Sequence, residues 1–417
     1  MSTYMEIARS GRSHRDFASV SDQEGVRPNA VIDSVASGSL VIVPGRGSVL
    51  PVGLGHVASS KVLCNMGTSS DSPDIAVEIE KAQIAIDHGA RIVCDQSVGP
   101  DLPAHRSRLV ETLKVPIAAI PLYQNAQDSV AKTGDPLNFT PEEVLDVFRQ
   151  QVLQGVTMPG FHTMSRRIVE LLRTSRRLLP LVSRGGGLLH EWIVRNNGEN
   201  PYLERYDEVL EIARSHNVPL TLVCSLRSGS VADGYDSEQR FEWKTLKALV
   251  RRAKNAGVSI MVDGLGHMRI DEIATAVRGF KQTCGEVPLG VLGPAVTDRA
   301  LGHEQVANGI GTALAVWNGA YYCNACYSTE HLGLPEIGDI PAGIGAAIVA
   351  TYAGDLARGQ RRAQLLEKEV LMSEARKRNR WGAMLDYAIE KVEARRTFRR
   401  VGAKNKDGAG CSVCGDL

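Results

Sequence analysis

From about residue 61 the chain repeats one unit: a short apolar or β-branched run, a polar break, then a single amphipathic helix. Candidate strands fall at 61–64, 90–94, 117–120, 178–182, 219–224, 259–263 and 289–292, and candidate helices at 75–88, 141–154, 203–216, 238–256 and 270–284. Strands separated by one helix must pair in parallel through right-handed crossovers. Two closures satisfy that rule, an open doubly wound sheet or a closed barrel. No Gly-x-Gly-x-x-Gly follows the first strand, whereas polar residues recur just past many of them: Asn65, Asp95, His162, Ser183 with Arg184, Arg227, His267 and Asp298. Barrel enzymes assemble their sites from those C-terminal loops, so the scatter predicts an α/β protein with a (β/α)8 TIM-type barrel.

The ends of the chain read differently. Residues 1–60 hold one apolar run at 39–43, closed by Pro44-Gly45, and a glycine-rich turn at 51–55, and are expected to form a small N-terminal domain. The barrel is expected over 61–355. Residues 356–400 are dense in Arg, Lys and Glu and predict exposed C-terminal helices. The remainder, 401–417, is a short Gly/Lys-rich linker that carries Cys411 and Cys414, and predicts a flexible arm.

Composition excludes several classes. The 417 residues carry 48 Lys+Arg against 47 Asp+Glu, so no net field attracts nucleic acid or an anionic membrane. Residues 1–15 lack the apolar core of a signal peptide, and no apolar run approaches the roughly 18 residues of a membrane span. Eight cysteines in such a length do not make a disulfide scaffold. A cytoplasmic protein with reduced thiols is expected.

Four groups of residues suggest chemistry. Cys411 and Cys414 stand at the spacing from which two thiolates converge on one zinc ion or cluster. Cys323 and Cys326 share that spacing but follow Tyr321-Tyr322, where small thiols fill cores; packing is expected, with a combined four-cysteine site as the alternative. His267 and His331 sit in glycine-bearing loops and are candidates for one shared divalent metal. Ser183-Arg184-Gly185-Gly186-Gly187 and Leu226-Arg227-Ser228-Gly229-Ser230 place arginine beside glycine amides, the makings of a nest for a phosphate monoester.

Read in order, Lys61-Val-Leu-Cys-Asn-Met-Gly-Thr-Ser69, Pro121-Leu-Tyr-Gln124, Val182-Ser-Arg-Gly-Gly186, Leu226-Arg-Ser-Gly-Ser-Val-Ala-Asp233, Asp263-Gly-Leu-Gly-His267, Leu292-Gly-Pro294, Thr329-Glu-His-Leu-Gly-Leu-Pro335 and Cys411-Ser-Val-Cys-Gly415 resemble the ordered signature of the phosphomethylpyrimidine synthase family over residues 40 to 417. The resemblance implies a homodimeric radical S-adenosylmethionine enzyme whose C-terminal tail closes over the partner's barrel. It implies a [4Fe-4S] cluster on Cys411 and Cys414, an external electron donor, and zinc or a related ion on His267 and His331. It implies aminoimidazole ribotide as substrate, against Asn65, Tyr123, His162, Ser183, Arg184, Gly185 and Arg227.

Four positions depart from the family pattern. Cys224 replaces an aspartate and Asp263 a glutamate, the latter shortening the reach by about 1.5 Å. These two are expected in the catalytic pocket. Cys94 replaces a methionine and His303 a tyrosine, both expected against substrate. The family tail also has a third cysteine a few residues past the second, so the third cluster ligand is expected beyond Leu417. The expected reaction is hydroxymethylpyrimidine phosphate formation. Alternatives are 5-hydroxybenzimidazole formation from the same ribotide, a divergent paralogue with another imidazole, or a silent ligand-binding homologue.

Overall fold

Continuous rather than alternating apolar runs belong to strands covered on both faces. The computed structural model describes residues 2–401 and 407–410 and bears this out. After an antiparallel hairpin of β1 (Leu40–Val43) and β2 (Val52–Gly55) come β3 (Lys61–Met66), β4 (Ile92–Asp95), β5 (Ile117–Ala119), β6 (Val156–His162), β7 (Leu220–Val223), β8 (Ile260–Asp263), β9 (Leu289–Leu292) and β10 (Tyr322–Asn324). From β3 to β10 each strand pairs in parallel with the next, and β10 pairs with β3, so the sheet is a closed barrel. The helices Pro141–Gln154 and Ile270–Cys284 lie where their periodicity predicts. The first opens with Pro141 and a reciprocal Thr140/Glu143 capping box, which satisfies its free N-terminal amides.

Some expectations fail for identifiable reasons. Residues 178–182 form no strand; Leu178 is 72% exposed, and Pro180 in the middle of the run cannot donate to a ladder. The strand in that slot is β6, whose sequence Val-Thr-Met-Pro-Gly-Phe-His hides it behind Pro159 and Gly160. Its pairing with β5 steps from Ile117–Val156 to Ala118–Met158, a bulge at Thr157. The helix expected at 203–216 is broken at Arg205 into Pro201–Glu204 and Tyr206–His216. The turn expected at 51–55 is strand β2. The helix Ile340–Arg358 crosses the expected boundary at 355, followed by Arg362–Lys377, Trp381–Tyr387 and Lys391–Val401. The segment 337–358 is long and apolar enough to cross a membrane, but its helix packs on the helix Glu304–Asn318 and on β3. Cys323 and Cys326 are buried on and just past β10, which agrees with a packing role.

The barrel floor is sealed by the hairpin. Val41, Val43, Val52 and Leu54 pack with the inward residues Leu63, Ile92, Met158, Met261 and Tyr322 in one apolar cluster. Gly290 makes this possible: a Cβ there would stand 2.0 Å from the Tyr322 ring, so only glycine lets the phenol lie across the floor. Below the floor, Glu24 is buried and accepts from Lys61 Nζ (2.6 Å), Ser59 (2.9 Å) and Arg361, joining an N-terminal helix to the start of β3 and to the C-terminal helices. Asp355 likewise accepts from the amide and hydroxyl of Ser60.

Burial alone would raise the Glu24 carboxyl, but Lys61, the Ser59 amide and Arg361 hold it below the usual range. Such a group lends stability above its unfolded pKa and loses it as pH falls through the folded value. Replacing Glu24 with Ala strands Lys61 and should cost about 3 to 5 kcal/mol in denaturant unfolding; an unshifted midpoint would show that the cluster does not hold these segments together.

Candidate active site

Along each barrel strand every second side chain points inward. Near the C-terminal ends these are Asn65, Cys94, His162, Val223, Asp263, Leu292 and Asn324, and with the loops above they line a cavity of about 470 Å³, within the range of small-ligand sites. Arg184 and Arg227, in the loops past β6 and β7, and Glu330 and His331, past β10, line its open end. Of the residues expected to touch a ligand, Asn65, Cys94, Tyr123, His162, Arg184, Arg227 and Asp263 therefore share one cavity.

Others do not reach the wall. Cys224 is fully buried outside the cavity, its thiol against Gly264, where a Cβ would meet Sγ at 2.3 Å. The cause is strand parity: Thr221 and Val223 face inward, so the next residue faces out. Burial, with Glu242 nearby, raises its thiol well above the ordinary value. His303 is exposed at the start of the helix Glu304–Asn318, and its neighbour Glu304 is the side chain that turns inward. Ser183 and Gly185 serve the site from behind. Ser183 caps the helix Arg184–Asn196 and accepts from the Gly186 amide at 3.0 Å, so that amide is not free for an anion. Gly185 lies against the His162 ring, where a Cβ would stand 2.3 Å from Nδ1. The cavity is therefore lined there by two guanidiniums, Arg184 at the start of that helix and Arg227 past β7, not by a nest of glycine amides.

Burial, helped by Arg227, lowers His162 to about 3, so the ring is neutral. Asp263 accepts from Asn324 Nδ2 at 3.0 Å; burial raises its carboxyl, opposed by Arg227 and then by that bond. Asn65 Oδ1, His162 Nδ1 and Asp263 Oδ1 have no partner within the protein, an unsatisfied state that buried polar atoms rarely keep without a ligand. The Arg227 loop is braced by Glu242, which is buried and accepts from the amides of Ser225 (2.7 Å) and Leu226 (2.8 Å) and from the Thr163 hydroxyl (2.7 Å). Lys81, paired with Glu78 at 2.8 Å, also lines the cavity, as do Gln96, Tyr327 and Cys326. Lys81 escaped the sequence reading because it lies on a helix, and Gln96 and Tyr327 because they lie just past β4 and β10, where no local motif marks them.

His267 and His331, from different loops, bring their rings to 5.0 Å between centroids. His267 Nδ1 meets Asp298 at 2.8 Å and His331 Nδ1 meets Glu304 at 3.0 Å. A carboxylate on one ring nitrogen is the arrangement that orients metal-ligating imidazoles through the other, so the pair fits a divalent ion. Among the described residues no group of three or more His, Cys, Asp or Glu is placed to hold a metal, so water or substrate would complete the shell. Cys411 and Cys414 lie outside the described residues.

The family model described as the Radical SAM ThiC family matches residues 3–417. The phosphomethylpyrimidine synthase of a Thermus thermophilus strain is 39% identical over 99% of this chain and 94% of its own. That of Moorella thermoacetica is also 39% identical, over 100% and 96%. Among solved structures, dihydropteroate synthases of Yersinia pestis and Xanthomonas albilineans superpose with TM-scores of 0.44 and 0.42, at 10% and 14% identity, over 76% of this chain and 98% of theirs.

Two outcomes follow from the geometry. Asp298→Asn should weaken divalent-metal binding on the order of 10- to 100-fold in competition with a chromogenic chelator; unchanged affinity would detach the metal from this pair. Because His162 must charge on unfolding, its contribution to stability should fall as pH drops from about 6.5, the unfolded value, towards about 3. His162→Gln should flatten that slope in pH-dependent unfolding.

Proposed function

Because the chain belongs to the Radical SAM ThiC family, we propose that it rearranges 5-aminoimidazole ribotide to 4-amino-5-hydroxymethyl-2-methylpyrimidine phosphate, the pyrimidine step of thiamine biosynthesis. One observation carries the substrate assignment: the cavity has Arg184 and Arg227 at its mouth and unsatisfied buried polar atoms on Asn65, His162 and Asp263 deeper in. That polarity complements a ligand with a phosphate dianion at one end and N–H and O–H donors at the other.

Arg184, lying 5.5 Å from the Tyr123 ring centroid, and Arg227 bind the phosphate. Neutral His162 and Asp263 orient the imidazole and ribose. His267 and His331 would hold zinc or a similar divalent ion. Cys411 and Cys414 would hold the [4Fe-4S] cluster, which with an external donor would supply the electron for reductive cleavage of S-adenosylmethionine. The walls of the cavity fix the orientation of the bound ribotide. A cytoplasmic homodimer with exchanged tails completes the reading. Its support is the exposed apolar face of Val306, Ile310 and Trp317 on the helix Glu304–Asn318.

Anaerobic incubation of the reconstituted protein with S-adenosylmethionine, a strong reductant and aminoimidazole ribotide should yield hydroxymethylpyrimidine phosphate by mass analysis. Deoxyadenosine without that product would overturn the substrate assignment. Arg227→Ala should weaken ribotide binding by about 2 to 5 kcal/mol in calorimetry, and an unchanged affinity would exclude this placement of the phosphate.

A further inference from the structure

Asn324 lies on β10, which with β6 is one of the two barrel strands the sequence reading missed, and its side chain faces the cavity. β8 and β10 are not neighbours; β9 runs between them. The β9 residue in register with Asp263 is Gly290, which has no side chain to intervene. Asn324 Nδ2 therefore meets Asp263 Oδ2 at 3.0 Å across the barrel interior. Asn324 is itself buried, and Asp263 Oδ1 is left without a partner in the protein.

We infer that Asn324 is a positioning residue: its amide occupies one oxygen of Asp263 and fixes the carboxylate plane, so that the other oxygen is presented to an N–H or O–H of the ligand. The inference rests on the reading of Asp263 as a ribotide contact. A carboxylate sunk among apolar walls tends to take up a proton, and then it would compete with the ligand as a donor. The other titratable groups that act on Asp263 are Arg227 after β7, Cys94 on β4, Cys224 after β7, and Tyr322 and Cys323 on β10. Burial raises the three thiols and the phenol, so all four are neutral. Arg227 and Asn324 are what favour the charged form, and Asn324 alone sets its orientation by a hydrogen bond.

The test is calorimetric binding of aminoimidazole ribotide across the acid range to wild type, Asn324→Leu, Asn324→Asp and Asp263→Asn, each first shown to be folded by its unfolding midpoint. Asn324→Leu keeps the volume and removes the donor. It should weaken binding on the order of tenfold and move the acid limb of the binding profile to higher pH. Asn324→Asp sets a second carboxylate against the first and should move that limb further. In the Asp263→Asn background, Asn324→Leu should cost nothing more. Should Asp263→Asn bind as wild type does, the ribotide contact itself fails. If Asp263→Asn weakens binding while both Asn324 variants leave the profile in place, the positioning role is overturned and the contact stands.

Discussion

The ladder between β10 and β3 is the constraint on which the rest of the structure depends. It pairs Tyr322 with Lys61, Cys323 with Val62 and Asn324 with Leu63, and turns a row of parallel strands into a closed ring. Closure does two things at once. It removes both sheet edges, and it forces every second residue of eight strands toward one axis. Residues hundreds of positions apart, such as Asn65 and Asn324, then share one cavity without any loop having to bring them there.

A ring of this size would be filled throughout if all inward side chains were large. Here the lower half is filled, by Tyr322 lying over Gly290 and by the β1–β2 hairpin pushed against it, and the upper half is left open. The division also separates chemistries. Neutral groups line part of the cavity, among them the Cys94 thiol, raised by burial, and the lowered His162 imidazole. The guanidiniums of Arg184 and Arg227 stand at the mouth, where a dianion can be desolvated against them. Behind the wall, Glu242 and Ser183 accept from loop amides. They hold the two arginine loops in the shape the site requires.

Where the sequence reading succeeded, a local rule carried it. The periods of the helices Pro141–Gln154 and Ile270–Cys284 and the glycine-flanked histidines each state their structure within a few residues. Apart from the run at 178–182, which Pro180 itself breaks, its failures required knowledge of a partner. Whether Cys224 faces the cavity depends on the parity of β7, which its neighbours set through their pairing. β6 is unrecognisable beside Pro159 until the bulge at Thr157 is seen to absorb the irregularity. His303 and Glu304 are adjacent in the chain, yet the helix turn sends only the second to His331.

The sequence by itself determined the alternation of most strands and helices, the parallel barrel, the arginine loops and the two-histidine pair, because periodicity, turn residues and ordered motifs are encoded locally. Tertiary structure alone decided which side of each strand meets the cavity, which amides remain free, and that Asn324 meets Asp263 across Gly290. Those facts depend on register and on distances between segments far apart in the chain, and a one-residue slip, which no local pattern forbids, would reverse them.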